Sequence, residues 1–290
     1  MHLQGSLLSR RSFMGGMSAA GAAPFLPGCR SVCAGKGPCS KFGGVQVGVI
    51  TYSYRSMPDK SAEAVLAQVV GSSINSIELM GDVVEKYAGA SLEKVGELRK
   101  MYADAGVGIH IVKFGNIGDK GCTDERIAYY FNVAQALGAK AITREISEEA
   151  ARRVGPLADR HGVKVAFHNH TQINATTYDG PILSYGKNLA INLDIGHYTA
   201  ANDDCVLAII EKYHDRIFSL HLKDRKNKAN KGTNMPFGQG DTPVVEALQV
   251  LKKNRWRIYA DIELEYQVPQ DSDAVREVAK CVQYCRQALA

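Results

Sequence analysis

The chain has 290 residues, 45% hydrophobic and 22% charged, the make-up of a folded protein with one sizeable core and not of a disordered or fibrous chain. Its net charge is only +5, Arg10 and Arg11 supply two of those units ahead of the folded region, and most other basic residues are interleaved with acids; nucleic acid is therefore not an expected partner. The length suits two small domains, or a single α/β barrel of about 250 residues.

Residues 1–30 read as an export signal. Ser9-Arg10-Arg11-Ser12-Phe13-Met14 precedes a weakly apolar, Gly/Ala-rich run from Gly15 to Leu26, which is too short to span a bilayer. Paired arginines before a Phe resemble the twin-arginine signal, an address and not an anchor. Leu26-Pro27-Gly28-Cys29 resembles a lipoprotein cleavage site, which makes Cys29 a candidate lipid anchor. The expected location is thus exported, either periplasmic or lipid-anchored to the membrane surface. Residues 31–44 are Gly-rich and read as a flexible linker, with Cys33 and Cys39 a candidate disulfide in an oxidising compartment. Cys281 and Cys285, spaced i,i+4 on a helical pattern, read as buried thiols.

From residue 45 onward apolar, β-branched runs alternate with helical patterns. Strands are expected at Val47–Tyr52, Ser76–Met80, Val107–Val112, Lys140–Thr143, Lys164–Phe167, Ala190–Asp194, Ile217–Leu222 and Arg257–Glu263. Helices are expected at Ala62–Val70, Ser91–Ala105, Asp124–Leu137, Glu148–His161, Asp203–His214, Val244–Lys253 and Asp273–Leu289. Gly106, Gly138 and Gly162 stand where helices stop, and Thr242-Pro243 supplies a cap and a first-turn proline for the helix after it. Residues 172–187 are polar and without clear period. Eight strands separated by helices must pair in parallel. They close most economically into a single (β/α)8 TIM barrel over residues 45–290, an α/β fold. No GxGxxG follows the first strand, which weakens the open, dinucleotide-binding alternative.

In such a barrel chemistry lives at the C-terminal ends of the strands. Those ends read Ile77-Glu78, Arg144-Glu145, His168-Asn169-His170, Asp194-Ile195-Gly196-His197, His221-Leu222-Lys223-Asp224 and Glu263-Leu264-Glu265. So many ionisable groups in register are costly to bury unless paired or bound to an ion. His168, Asp194, His221 and Glu263, from four successive strands, form a mixed nitrogen and oxygen set suited to one divalent Mn, Co, Fe or Zn ion; a hydrogen-bonded polar cluster without metal is the alternative. His170 reads as a support for His168 or a substrate contact, His197 as a hydrogen-bonding partner of substrate or of a ligand, and Lys223 as a group that could stabilise an enolate. Glu265 shares the face of Glu263 and could replace it. The basic, Gly-rich segment Arg225–Asp241 carries Phe237, a candidate aromatic face for a sugar ring.

The stretches GVITYSYR, IELMG, FHNHTQ, INLDIGHY, SLHLKD, FGQGDTP and IELEY together resemble the xylose isomerase-like TIM-barrel family, and within it exported bacterial sugar phosphate isomerase/epimerase-like proteins. The resemblance runs from about Val45 to the C-terminus. It implies a carbohydrate substrate, a metal ion on His168, Asp194, His221 and Glu263, a substrate-side role for Glu78, and proton transfer beside a carbonyl through an enediolate. At the fifth strand the family's metal-dependent ketose epimerases carry a glutamate where this chain has His168, so their symmetric two-glutamate scheme does not carry over unchanged. Glu145 is the candidate for the missing carboxylate. The expected activity is sugar isomerisation or epimerisation, on a sugar without phosphate given the exported address and the lack of a phosphate cradle. A keto-glycoside lyase or hydratase is the nearest alternative; a non-catalytic sugar-binding lipoprotein and an AP endonuclease-like nuclease lie further off.

Overall fold

The computed structural model describes residues 37–290. In chain order these form β1 (Lys41–Phe42), β2 (Val45–Ile50), α1 (Ala62–Gly71), β3 (Ser76–Met80), α2 (Gly81–Ala88), α3 (Leu92–Asp104), β4 (Gly108–Lys113), α4 (Asp124–Leu137), β5 (Ala141–Glu145) and α5 (Glu148–His161). They continue with β6 (Lys164–His168), β7 (Leu189–Asp194), α6 (Ile195–Ala201), α7 (Leu207–Tyr213), β8 (Ile217–Leu222), β9 (Asp224–Arg225), β10 (Asn234–Met235), α8 (Val244–Asn254), β11 (Tyr259–Ile262) and α9 (Ala274–Ala288). Strands run in the order β2-β11-β8-β7-β6-β5-β4-β3, all parallel, and β3 pairs back onto β2. The sheet is closed: this is a single (β/α)8 TIM barrel.

Period-two alternation sorts each strand into two faces. Val47 and Val49 of β2, Ile77 and Leu79 of β3 and Val165 and Phe167 of β6 are fully buried in the main hydrophobic core, each such burial stabilising the fold by about 1.5–3 kcal/mol. The alternate residues include Ala141, Ala166 and Ala190, which with Ile111 form a smaller cluster against Phe218. Beyond those alanines the same alternation continues into His168 and Asn192 after two residues and, through Thr143, into Glu145 after four, so each strand exchanges an apolar filler for polar groups toward its C-terminal end.

Five helix starts are capped by a side chain. Ser61, Ser91, Thr123, Ser147 and Asp273 accept from the backbone N–H three residues on. Gly138 and Gly162 end α4 and α5 in the left-handed conformation.

The differences from expectation have local causes. Thr51–Tyr54, read partly as strand, turns into a 3-10 segment. Part of the expected linker is structured: Lys41 and Phe42 pair antiparallel with Gln46 and Val45, and buried Ser40 bonds Val47 O at 2.7 Å and Asn75 Oδ1 at 2.8 Å. Thr242 does not cap α8; its hydroxyl accepts from Arg225 N at 3.0 Å, and Pro243 takes the cap position. Two short helices, α2 and α6, had no counterpart in the sequence reading. Residues 172–187 hold two 3-10 turns, at Thr177–Asp179 and Pro181–Leu183. Cys281 and Cys285 are free buried thiols, as expected. Cys39 is disulfide-bonded, while its candidate partner Cys33, the Cys29 anchor and the export signal lie outside the described residues.

Candidate active site

The strand ends converge as the alternation requires. His168, Asp194, His221 and Glu263 are buried, and one ligand atom from each lies within 4.8 Å of the others. Around them Glu78, Asn192, Lys223 and Glu265 complete one polar network at the mouth of the barrel.

His168 is the best-defined member. Its Nδ1 lies 3.0 Å from Asn192 Oδ1. Asn192 is oriented by its other end, since Nδ2 donates to Glu78 Oε2 at 3.0 Å and to Ser219 Oγ at 2.8 Å. A carboxylate only accepts, so the amide oxygen must face His168 and the imidazole must carry its proton on Nδ1. Burial, reinforced by His221 and Lys113, holds the ring well below the usual histidine range, so it is neutral with Nε2 bare. A bare nitrogen on one side and a hydrogen-bonded N–H on the other is how metal-binding imidazoles are supported.

His221 is held between carboxylates, Nδ1 at 2.9 Å from Glu263 Oε2 and Nε2 at 2.9 Å from Glu78 Oε2. Burial alone would strip its proton, yet Glu78 and Glu263 push it up to about 10. Lys223 is almost fully buried, with Nζ at 2.7 Å from Glu265, 3.0 Å from Asp194 and 3.1 Å from Glu263. Those three carboxylates outweigh its burial and keep it charged. Glu263 is held well below the carboxylate range in spite of burial, by Lys223 and His221. Burial raises Asp194, partly offset by Lys223.

The donor set fits a divalent ion. Two imidazoles and two carboxylates from four strands converge, one imidazole already has its ligating nitrogen bare, and Glu78 stands behind the other. Lys223, His221 and Lys113 are positive charges that balance the carboxylates in the protein alone.

The other expected site residues divide. Asp194 also caps α6, accepting from His197 N at 2.6 Å, which brings His197 to the mouth. His197 is neutral: burial, with Lys223 and Arg225 beside it, pushes it down to about 3. Glu145 stands at the rim, half-buried, 3.0 Å from Lys113 Nζ and 3.5 Å from His170 Nε2. His170 is exposed, its ring edge-on to that of His168. Glu265 pairs with Lys223 at 2.7 Å, whereas Glu263 is the carboxylate grouped with His168, Asp194 and His221. Phe237 is not laid over the mouth; it packs edge-on against Tyr284 of α9, with ring centroids 5.7 Å apart. Its loop is tied down by buried Asp224, which accepts from the backbone N–H of Gly238, Gly240 and Thr242 at 2.8–3.2 Å.

Three site residues escaped the sequence reading. Lys113 ends β4 one residue past the apolar run, and Glu78, Glu145 and Glu263 keep it charged against burial. Asn192 is neutral and looks ordinary until its partners are known, although it shares the face of Asp194. Arg225 was visible only as one charge in a basic loop.

Residues 75–285 match the family described as xylose isomerase-like TIM barrel. No curated protein matches the chain. Among solved structures, D-psicose 3-epimerase from Clostridium cellulolyticum H10, solved with D-tagatose, is similar at a TM-score of 0.64 and 16% identity, over 84% of this chain and 99% of that one. A probable 3-DHS dehydratase from Bacillus anthracis gives 0.65 and 15%, over 82% and 98%. A sugar phosphate isomerase/epimerase from Parabacteroides distasonis ATCC 8503 gives 0.60 and 16%, over 91% and 100%. At these identities the likeness is one of fold.

Proposed function

Because the chain belongs to the xylose isomerase-like TIM barrel family, we propose that it is a metal-dependent sugar isomerase or epimerase that moves a proton beside a carbonyl through an enediolate. The observation that carries this reading is His168, neutral and with Nε2 bare, among Asp194, His221 and Glu263. A divalent ion held by these four residues would polarise a carbonyl and its adjacent hydroxyl, lowering the cost of removing the α-proton.

The chain's own groups then divide the work. His168 has one free lone pair, so as a ligand it cannot also be the base. Glu263 is a weak base, since Lys223 and His221 stabilise its charge. We assign the proton to Glu145, the half-buried carboxylate at the open rim, paired with Lys113, while Glu78 and Glu265 are engaged by His221 and Lys223. Lys223, buried and charged, can donate to the oxygen on which negative charge grows. A single competent base suits transfer on one face of the substrate better than exchange between two faces. That asymmetry favours a second reading, expulsion of a β-leaving group from the same intermediate, as a keto-glycoside lyase or hydratase would perform.

The substrate we propose is a sugar without phosphate. Export to the periplasm, or lipidation at Cys29, rests on the Arg10-Arg11 and Leu26–Cys29 sequence patterns alone.

Solvent-deuterium incorporation into a panel of ketoses and 3-keto-glycosides tests the chemistry. Exchange at the carbon beside the carbonyl is expected for at least one class, and Glu145→Gln should lower it at least about 100-fold while leaving bound metal unchanged. No exchange across the panel would overturn the reading; exchange that survives Glu145→Gln would move the base elsewhere.

A further inference from the structure

The head of Lys223 sits among more partners than it has hydrogens. Its Nζ lies 2.7 Å from Glu265 Oε2, 3.0 Å from Asp194 Oδ2, 3.1 Å from Glu263 Oε2 and 3.0 Å from His197 Nε2, whereas an ammonium has three N–H groups. Two of these partners, Asp194 and Glu263, belong to the set that fits a divalent ion, and Glu265 does not. Asp194 has one oxygen free for an ion. Its Oδ1 accepts from His197 N at 2.6 Å, while Oδ2 is buried and receives no hydrogen bond. The ammonium faces that same Oδ2 and holds it by charge alone.

The stem of the lysine is built into place. Lys223 is 2% exposed, and Gly196 of α6 packs so closely on it that a Cβ there would lie 2.5 Å from Lys223 O and 2.9 Å from Lys223 Cβ. The backbone is thus pinned, while the flexible four-carbon stem lets the ammonium swing. Swinging toward Glu265, outside the ion set, keeps it paired. A divalent ion and an ammonium on one buried carboxylate oxygen are like charges at close quarters, where salt and solvent screen little. Each therefore disfavours the other.

We propose that Lys223 is a built-in competitor of the ion: its ammonium and a divalent cation contend for Asp194 Oδ2 and Glu263, and Glu265 keeps the ammonium when the ion takes them. The inference rests on the metal reading above and adds what the ion displaces. It also has a consequence for that reading. An ammonium divided among four partners has no N–H to spare for a substrate oxygen, so the donor role given to Lys223 opens to it only after this exchange.

Calorimetric titration of the metal-stripped full chain with Mn or Zn tests it, with Lys223→Met as the variant. Methionine keeps an unbranched stem and removes the charge, leaving Asp194, Glu263 and Glu265 without the cation they share. Lys223→Met should bind the ion at least about 10-fold more tightly than the wild type, and saturating ion should raise its Tm by more than it raises that of the wild type. An affinity no tighter than that of the wild type overturns the inference and leaves the metal reading standing; an ion bound by neither protein overturns both. Should Lys223→Met fail to fold, the structure of the wild type loaded with Mn decides it. Nζ paired with Glu265 and beyond the about 4 Å of an ion pair from both Asp194 and Glu263 supports the exchange, and Nζ within that distance of either overturns it.

Discussion

A carboxylate that can only accept controls the chemistry of an imidazole it does not touch. Glu78 orients the amide of Asn192, and the amide oxygen then places the proton of His168 on Nδ1. Removing the middle link with Asn192→Ala leaves His168 without its acceptor and free to take either tautomer. Metal affinity is expected to fall about 10–100-fold, read by titration of the metal-stripped protein with Zn or Mn; unchanged affinity would show that the hydrogen bond does not matter. Asp194→Asn isolates charge from structure, because asparagine caps a helix as well as aspartate does. The variant should fold with a wild-type spectrum yet carry far less than one equivalent of metal, and full occupancy by elemental analysis would remove Asp194 from the ligand set. Most of this constellation was legible in the sequence because residues 168, 194, 221 and 263 all fall at the C-terminal ends of successive strands, and the barrel turns those ends toward one mouth. Asn192 was not, since nothing in an isolated amide says which way it faces, and Lys113 was not, because its strand outlasts the apolar run that marked it. Arg225 was not, because it meets His197 across 28 residues of sequence, which no local pattern encodes.

At the scale of elements, α6 places both Asp194 and His197 and is only seven residues long. It was invisible in the sequence because a helix that short, starting on a strand end with a glycine second, carries no amphipathic period. The same holds for the eight residues of α2. Long helices such as α4 and α5 matched their expected ranges, having caps, several turns and a glycine stop. Gly196 shows why α6 can sit where it does: a Cβ there would lie 2.5 Å from Lys223 O and 2.9 Å from Lys223 Cβ. The helix rests directly on the strand end that carries Lys223. Gly196→Ala should push the two apart, destabilising the protein by about 1–3 kcal/mol and weakening metal binding as Asp194 is displaced. Denaturant unfolding and the same metal titration would measure both. A variant with wild-type stability and affinity would mean that α6 has slack the packing does not show.

For the whole molecule, closure of the barrel brings the last strand, β11, between β2 and β8, and α9 packs against β11 and α1. Ser72 Oγ, just past α1, reaches Val275 O at 3.2 Å, and Glu277 of α9 gathers Tyr266 Oη at 2.8 Å, Ser272 Oγ at 2.5 Å and Lys280 Nζ at 2.6 Å. The topology was legible from alternation and strand count, whereas this clasp was not, because it joins a helix to the irregular segment after β11. Burial would raise the Glu277 carboxyl, but Lys280, Ser272 and Tyr266 together hold it below the usual range. The native state therefore binds this proton less readily than the unfolded chain, whose glutamates titrate at about 4.3. The contribution to stability is complete above that pH and is lost as pH falls through the native value. Glu277→Gln removes the titration while keeping one acceptor for Tyr266. Above about pH 5 the wild type should be the more stable, and the gap should narrow as pH drops toward 3, because only the wild type has a carboxylate here to protonate. Urea midpoints measured across that range give the comparison directly. Parallel curves for the two proteins would mean that the clasp does not couple α9 to the barrel through its charge.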